Sequence, residues 1–308
     1  MNTEPQVAEK GEDNIYTSKG IASQRDNFRV NMRREERFKE ITKRRRLDDV
    51  QTISANEIAE CSKPERTWGH LDAVDNRGEM IQMISKYLEL EYDISQLEEL
   101  SQILLTEKDD PEKLHYSFVG LRKLLSLNAN TPIQPVIDLN LPQKLIEYMD
   151  CEKYPHLILE ATWCCCNIST GTSSQIQRLI DKGLVPKLVK LLYCNSGEIF
   201  EQAAWCVANI AADCNKFKEI LIQSGCAKPL SDRIIQTNDE KTIKNSTWSL
   251  ANLCRGKNTF NAQLFPAAAA FIKVIMSFDD LETCSDAMMG LCDVMNEAVI
   301  NTITDSPI

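Results

Sequence analysis

The sequence predicts an all-α solenoid, a stack of similar helical units, and two repeated marks lead to that prediction. The first is a tryptophan followed four residues later by an asparagine, at intervals of 42 and then 43 residues: Trp163/Asn167, Trp205/Asn209 and Trp248/Asn252. The second is the pattern Ile-Asp-x-Asn/Gly-Leu-x-x-Lys-Leu, which begins at residue 137 and again at residue 180. Repeats of this length are typical of stacked helical units. Because both marks keep one period, chance is a poor explanation.

Each unit is predicted as a short helix, a cap, a second helix, a polar turn and a longer third helix. In the best copy these helices are expected at about 173–182, 184–193 and 198–212. Asn140, Gly183 and, in a looser copy, Gly225 share the phase between the first and second helices. Asparagine and glycine accept a left-handed backbone, which predicts a helix cap at that phase.

The composition narrows the class of protein. The 308 residues are 26% charged and 43% apolar, which is ordinary for a soluble protein. No apolar run approaches the roughly 18 residues that a membrane helix needs, and the polar N-terminus lacks a signal-peptide core. Membrane insertion is therefore not expected.

The twelve cysteines are interpreted as small core residues in a reducing compartment. Cys164–Cys166 are consecutive in an apolar helical stretch, and Cys206 and Cys254 lie close to the other tryptophans. There is no Cys-x-x-Cys pair, and the three histidines have no ligand spacing. We expect no metal and no cofactor. No nucleophile–base pair or phosphate loop is present either, so an enzyme is not predicted.

A strong charge asymmetry divides the chain. Ten Arg/Lys oppose four acids between Arg25 and Arg46, a local charge of +6 in a chain of net charge −10. A basic segment on an acidic body indicates a nucleic-acid tail or an arm for an acidic protein surface. The predicted parts are a disordered tail at 1–24, the basic arm at 25–50, a linker at 51–78 and the repeats at 79–308.

Four strings resemble the importin-alpha (karyopherin alpha) family. They are WCCCNISTGTSSQ at 163–175, EQAAWCVANIAAD at 201–213, WSLANLCRGK at 248–257, and the basic segment 30–45, which resembles the family's importin-beta-binding arm. The resemblance implies an armadillo-repeat right-handed superhelical solenoid with a basic N-terminal arm that is disordered or helical. It also implies a nuclear import adaptor that shuttles between cytoplasm and nucleus.

The partners that the resemblance implies are importin-beta, proteins with basic nuclear localisation signals, and nuclear pore proteins. Direct contact with nucleic acid is not expected, because the basic segment lacks interleaved aromatic residues. A solvated charge run is the plainest alternative for Lys43–Arg46. The residues expected to bind importin-beta, and to compete for the chain's own groove, are Arg33, Arg34, Arg37, Lys43, Arg44, Arg45 and Arg46.

The Trp/Asn pairs suggest how a cargo peptide would be held. A helix places residues i and i+4 on one face, so stacked units would form a ladder of indoles, expected to be open to solvent. Lysine stems would lie on the rings with cation–π attraction, and each carboxamide would pair with the peptide backbone. The candidate cargo-binding residues are Trp163, Asn167, Gly171, Gln202, Trp205, Asn209, Asp213, Trp248, Asn252 and Arg255.

Acidic residues near the pairs would select lysine and arginine. Asp213 is the first of these, with Glu160 and Glu201 as further candidates. Ile176 stands where the family usually has a small hydroxyl residue, which puts the strongest lysine pocket in doubt.

After Lys257 the resemblance fades. The next pair is expected near 289 and 293, where Met289 and Asp293 stand. The prediction is therefore a shortened array of four to five units with a degenerate last one. Two alternatives to the transport adaptor remain open, a scaffold for other extended ligands and a decoy that occupies importin-beta without delivering cargo.

Overall fold

The computed structural model describes residues 86–87, 90–127, 130–151, 153–256 and 262–304, with side chains as far as 295. The predicted tail, basic arm and linker, together 1–78, lie outside the described residues.

The described chain is a series of helices that groups into five units. Unit 1 has α1 (Leu97–Thr106) and α2 (Pro111–Leu125), and unit 2 has α3 (Ile133–Asp138), α4 (Leu141–Tyr148) and α5 (Pro155–Ile168). Unit 3 has α6 (Ser173–Asp181), α7 (Leu184–Leu192) and α8 (Gly197–Asp213). Unit 4 has α9 (Asn215–Gln223), α10 (Ala227–Gln236) and α11 (Glu240–Cys254), and unit 5 has α12 (Phe265–Ser277) and α13 (Leu281–Thr304).

This series confirms the all-α prediction, and the three helices expected in the best copy are those of unit 3. No helix in the described ranges is both long enough and apolar enough to cross a membrane.

Local signals set the helix boundaries. Asn140, Gly183 and Gly225 have φ of 58°, 87° and 88°, which confirms the left-handed cap between the first and second helices. The third helices α8 and α11 begin after Ser196 and Asp239, whose side chains accept from the backbone N–H three residues later. Such caps satisfy donors that have no partner within the helix.

The third helices form the continuous spine of the array. In units 1 and 5, where two helices are described, the last helix takes this place, so the spine consists of α2, α5, α8, α11 and α13. Successive spine helices pack against each other, and each one also packs against the helix before it in its own unit. Because α5 has neighbours on several sides, it is buried nearly all round, and only its first residue, Pro155, is not buried. A first helix such as α6 instead buries a narrow stripe, Ile176 and Leu179.

Basic side chains brace successive second helices at the outer edge. Lys190 of α7 pairs with Asp150 just after α4, and Arg233 of α10 donates to the Cys194 carbonyl just after α7. Lys273 of α12 donates to three carbonyls at the end of α10, each at 2.9 Å. A cation at a helix C-terminus satisfies exposed carbonyls and complements the helix dipole.

Candidate functional site

The three Trp/Asn pairs occupy equivalent places on α5, α8 and α11. Each tryptophan comes eight residues after the first residue of its helix, at Trp163, Trp205 and Trp248. Since these helices pack in succession, the pairs follow one another along the spine. The three pairs therefore lie in the predicted order along the spine.

The expectation that the rings are open to solvent is wrong. Trp163 and Trp205 are 9% and 8% exposed, and Trp248 is partly buried against the core. The rings are nevertheless less enclosed than true core residues of the same helix, such as Phe200 and Val207, which are 0% exposed. The indoles are therefore largely, but not completely, covered by the rest of the chain.

An internal arginine covers Trp163. The guanidinium carbon of Arg122, from α2, lies 4.4 Å from the centre of the indole. Its Nε donates to Glu160 Oε2 at 2.5 Å, and the two side chains are 4% and 1% exposed. The cation that contacts the Trp163 indole is therefore a residue of this chain, and so is the carboxylate that neutralises the cation.

The other two indoles are covered partly by each other. The ring centroids of Trp205 and Trp248 are 4.7 Å apart, with the planes inclined at 48°. Contact between aromatic residues of adjacent units is favourable beyond the area that it buries. At this separation the two rings leave no room between them for a lysine stem.

The asparagines make one recurring contact. Asn209 Nδ2 donates to the Cys166 carbonyl at 3.4 Å, and Asn252 Nδ2 donates to the Ala208 carbonyl at 3.3 Å. In both cases the acceptor is the residue just before the asparagine of the preceding unit. Asn167 differs, since its Nδ2 donates to the Ser126 hydroxyl at 3.0 Å.

The acceptor ends of two of these carboxamides are unsatisfied. Among the described residues, no group donates a hydrogen bond to Oδ1 of Asn209 or Oδ1 of Asn252, both of which are buried. A buried acceptor without a donor costs about 1–3 kcal/mol, and a ligand N–H that reached it would remove that cost. The donor ends orient the amides, while the buried acceptor ends lack a partner in this part of the chain.

The three acidic residues differ in how they are paired. Glu160 is neutralised by Arg122, and Glu201 pairs with Lys241 at 2.8 Å and accepts from Thr242. Asp213, the last residue of α8, has a buried Oδ2 to which no described residue donates a hydrogen bond. Of the three, Asp213 is therefore the carboxylate best placed to receive a cation from outside.

The remaining candidate positions surround this region. Gly171 follows α5, and a Cβ there would meet the flexible end of Gln175 (Oε1) at 2.3 Å and the Ile168 carbonyl at 3.1 Å. Gln202 is buried on α8, and the Arg255 carbonyl, at the end of α11, accepts from Lys218 Nζ at 2.5 Å. Ile176 is 1% exposed in the core, so it offers no polar group to a ligand.

Sequence reasoning missed Arg122. It lies 41 residues before Trp163 and outside every repeated string. A basic residue one period before a tryptophan is the signal that could have indicated it, since contacts between units join residues about one period apart.

Comparison with known proteins agrees with this architecture. Residues 172–212 and 214–255 match the Armadillo/beta-catenin-like repeat family. A designed armadillo repeat protein in complex with the peptide (KR)4 has a TM-score of 0.58 and 24% identity, and the match covers 79% of this chain and all of that one. That likeness bears on the fold alone, and it confirms the armadillo class.

Sequence relatives narrow the family. Importin subunit alpha-1b of Oryza sativa subsp. japonica is 34% identical over 192 residues, 62% of this chain and 36% of that protein. Importin subunit alpha-6 of Arabidopsis thaliana is 28% identical over 268 residues, 86% of this chain and 49% of that protein. The chain thus spans about a third to a half of the length of these curated relatives. By its repeats, its fold and these relatives, the chain is an array of armadillo repeats that is similar to the importin-alpha family.

Proposed function

We propose that the chain is a nuclear import adaptor that binds basic nuclear localisation signals along α5, α8 and α11 and links them to importin-beta. The observation that carries the proposal is the set of unpaired acceptors on one stretch of the spine. Asn209 Oδ1, Asn252 Oδ1 and Asp213 Oδ2 are buried without a donor from the described part of the chain, on the helices that carry the paired indoles of Trp205 and Trp248. An extended peptide with basic side chains supplies donors of both kinds, backbone N–H groups and cations.

The carboxamides and Asp213 would have different roles in binding. The carboxamides would hold the peptide backbone without reading its sequence, and Asp213 would select a lysine or arginine side chain. The acidic repeats would also speed the encounter with a basic peptide at low salt. Selectivity for basic peptides then depends on charge, and affinity depends on the backbone contacts.

The basic arm would have two roles in this scheme. Residues 25–50 would bind importin-beta, and Lys43–Arg46 would compete with cargo for the same groove. Tethered to the repeats through residues 51–78, the arm would compete with cargo at an effective concentration on the order of millimolar. Capture of the arm by importin-beta would release the groove for cargo, and the adaptor would shuttle between cytoplasm and nucleus with its partners.

Calorimetric titration with a basic signal peptide tests the proposal on the full chain and on a chain that lacks residues 1–50. We expect binding to both, and tighter binding without the arm. The matched variant is Asp213→Asn, which removes the charge and keeps the shape, and which should weaken binding by about tenfold, the size of one charge-assisted contact. Absence of binding to either chain would overturn the cargo role.

Pull-down with importin-beta separates this function from the two alternatives. A scaffold without a transport role would not lose importin-beta on deletion of 1–50, because it would have none to lose. A decoy would hold importin-beta and yet fail to deliver a fluorescent cargo in permeabilised cells.

A further inference from the structure

We propose that Arg122 is a built-in occupant of the Trp163 position, so that this chain recognises a short basic cluster at Trp205 and Trp248 instead of a long basic run across all three indoles. This inference rests on the proposed function and specifies which peptides the same groove prefers.

The first step is the chemistry at Trp163. A ligand lysine or arginine on this ring would offer a cation to the indole face and to a carboxylate beside it. Arg122 already provides the cation at 4.4 Å from the ring, and Glu160 provides the carboxylate at 2.5 Å from Arg122 Nε. A planar guanidinium suits both contacts better than an ammonium does. The internal pair therefore reproduces what a cargo side chain would contribute.

The second step is that this occupant is held firmly. Both side chains of the pair are almost fully buried, and a buried charge is not released unless its partner is compensated. A cargo cation would have to displace Arg122 and leave it without Glu160. Competition at Trp163 is therefore unfavourable for a ligand that can bind elsewhere.

The third step is the contrast along the spine. At the Trp163 end, Glu160 is neutralised by the internal Arg122. At the other end, Asn209 Oδ1, Asn252 Oδ1 and Asp213 Oδ2 have no donor within the described ranges. Adjacent helices pack about 8–10 Å apart, roughly three residues of extended peptide. Recognition would thus span about four residues instead of about seven.

The test compares two blocked peptides. One has four consecutive Lys/Arg residues between alanines, and the other is an alternating Lys-Arg octapeptide. The measured quantity is the ratio of their dissociation constants, four-basic over eight-basic, obtained by calorimetry at fixed salt. This ratio cancels changes that affect both peptides alike.

The informative variant is Arg122→Ala with Glu160→Gln, which vacates the ring without leaving a buried charge. We expect the ratio to rise by about 2- to 30-fold, the factor that corresponds to one additional cation–π contact. The matched control is Lys228→Ala with Asp232→Asn, which removes an exposed i,i+4 pair on α10 and should leave the ratio unchanged. An unchanged ratio in the first variant would overturn the inference while the proposed function stands.

A second measurement uses the native chain, in case the variant does not fold. The indole N–H signals of the tryptophans are followed by NMR during titration with the octapeptide, after assignment by single Trp→Phe changes. The signals of Trp205 and Trp248 should shift more than that of Trp163. An equal shift of Trp163 contradicts the inference. Failure of both peptides to bind the native chain would remove the proposed function and this inference together.

Discussion

The carboxamide nitrogen of Asn252 donates to the backbone carbonyl of Ala208 in the preceding unit, at 3.3 Å. Asn209 repeats this contact one unit earlier, with the Cys166 carbonyl as acceptor. The bond fixes which end of each amide faces the neighbouring helix. Because Asn209 and Asn252 make the same bond, the Oδ1 atoms of both residues have the same orientation relative to the preceding spine helix.

Replacing Asn252 by alanine should weaken binding of a basic peptide by about tenfold, since one buried hydrogen-bond acceptor and its orientation are lost. The free energy of unfolding should fall by about 1 kcal/mol, because the variant loses the hydrogen bond to the Ala208 carbonyl. Calorimetry and urea unfolding measure the two effects. Asn238→Ala, in the exposed turn before α11, is the control, and an equal loss of binding there would contradict a specific role for Asn252.

The buried Arg122–Glu160 pair predicts strongly non-additive stability effects. Arg122→Met alone leaves a buried carboxylate unpaired and should lower the free energy of unfolding by about 3–5 kcal/mol. Adding Glu160→Gln removes that charge and should restore much of the loss. Urea unfolding of the two singles and the double gives the coupling energy. If the single-variant effects simply add, the two residues do not act as a pair.

Gly183 should be sensitive to substitution for a purely conformational reason. Its φ is +87°, and a Cβ there would meet no atom within 4 Å. Gly183→Ala should therefore cost about 1 kcal/mol from backbone strain alone, and Gly183→Asn should cost less, since Asn140 adopts φ 58° at the same phase. Thermal unfolding measures these changes.

Gly197 offers a control for that prediction. A Cβ there also meets nothing within 4 Å, but this glycine does not have a positive φ. Gly197→Ala should be neutral or slightly stabilising, because it reduces the freedom of the unfolded chain. Equal costs at the two glycines would contradict the conformational explanation.

His115 and His156 predict a loss of stability in mild acid. Their ring centroids are 5.1 Å apart in an edge-to-face arrangement, and all four ring nitrogens are buried without a hydrogen-bond partner among the residues that the structure describes. Burial lowers the pKa of each to about 3, and Arg122 adds to the effect at His115. Since a histidine in the unfolded chain has a pKa of about 6.5, only the unfolded state takes up protons as the pH falls below that value.

The histidine contribution should thus be complete above about pH 6.5 and should decline as the pH falls toward 3. Urea unfolding between pH 7 and 5.5 should show the decline in the native chain. A His115→Leu, His156→Leu variant should show a shallower dependence over that range. The same slope in both chains would mean that other groups control the acid sensitivity.

The repeat architecture was predictable because its signals are local. Left-handed backbone at Asn140, Gly183 and Gly225 follows from residue type, and helix phase follows from apolar spacing. The unit-3 helices expected at 173–182, 184–193 and 198–212 are observed at Ser173–Asp181, Leu184–Leu192 and Gly197–Asp213. Capping residues and apolar periodicity are local features of the sequence, so they indicate such elements without knowledge of the contacts between units.

The environment of the candidate site was not predictable in the same way. Exposure of Trp163 depends on Arg122, and exposure of Trp205 depends on Trp248, each about one period away in sequence. Glu160 was expected to attract cargo, but its partner is internal. Repeat spacing gives the order of side chains along the spine. It does not reveal which of them satisfy one another across the junction between units.

The braces at the outer edge have a consequence for how such arrays change length. Lys190, Arg233 and Lys273 each reach from a second helix to the end of the second helix before it. Removing or duplicating one whole unit would bring another basic side chain to another helix end of the same kind. Genetic gain or loss of an entire unit would therefore preserve this brace, whereas gain or loss of part of a unit would break it.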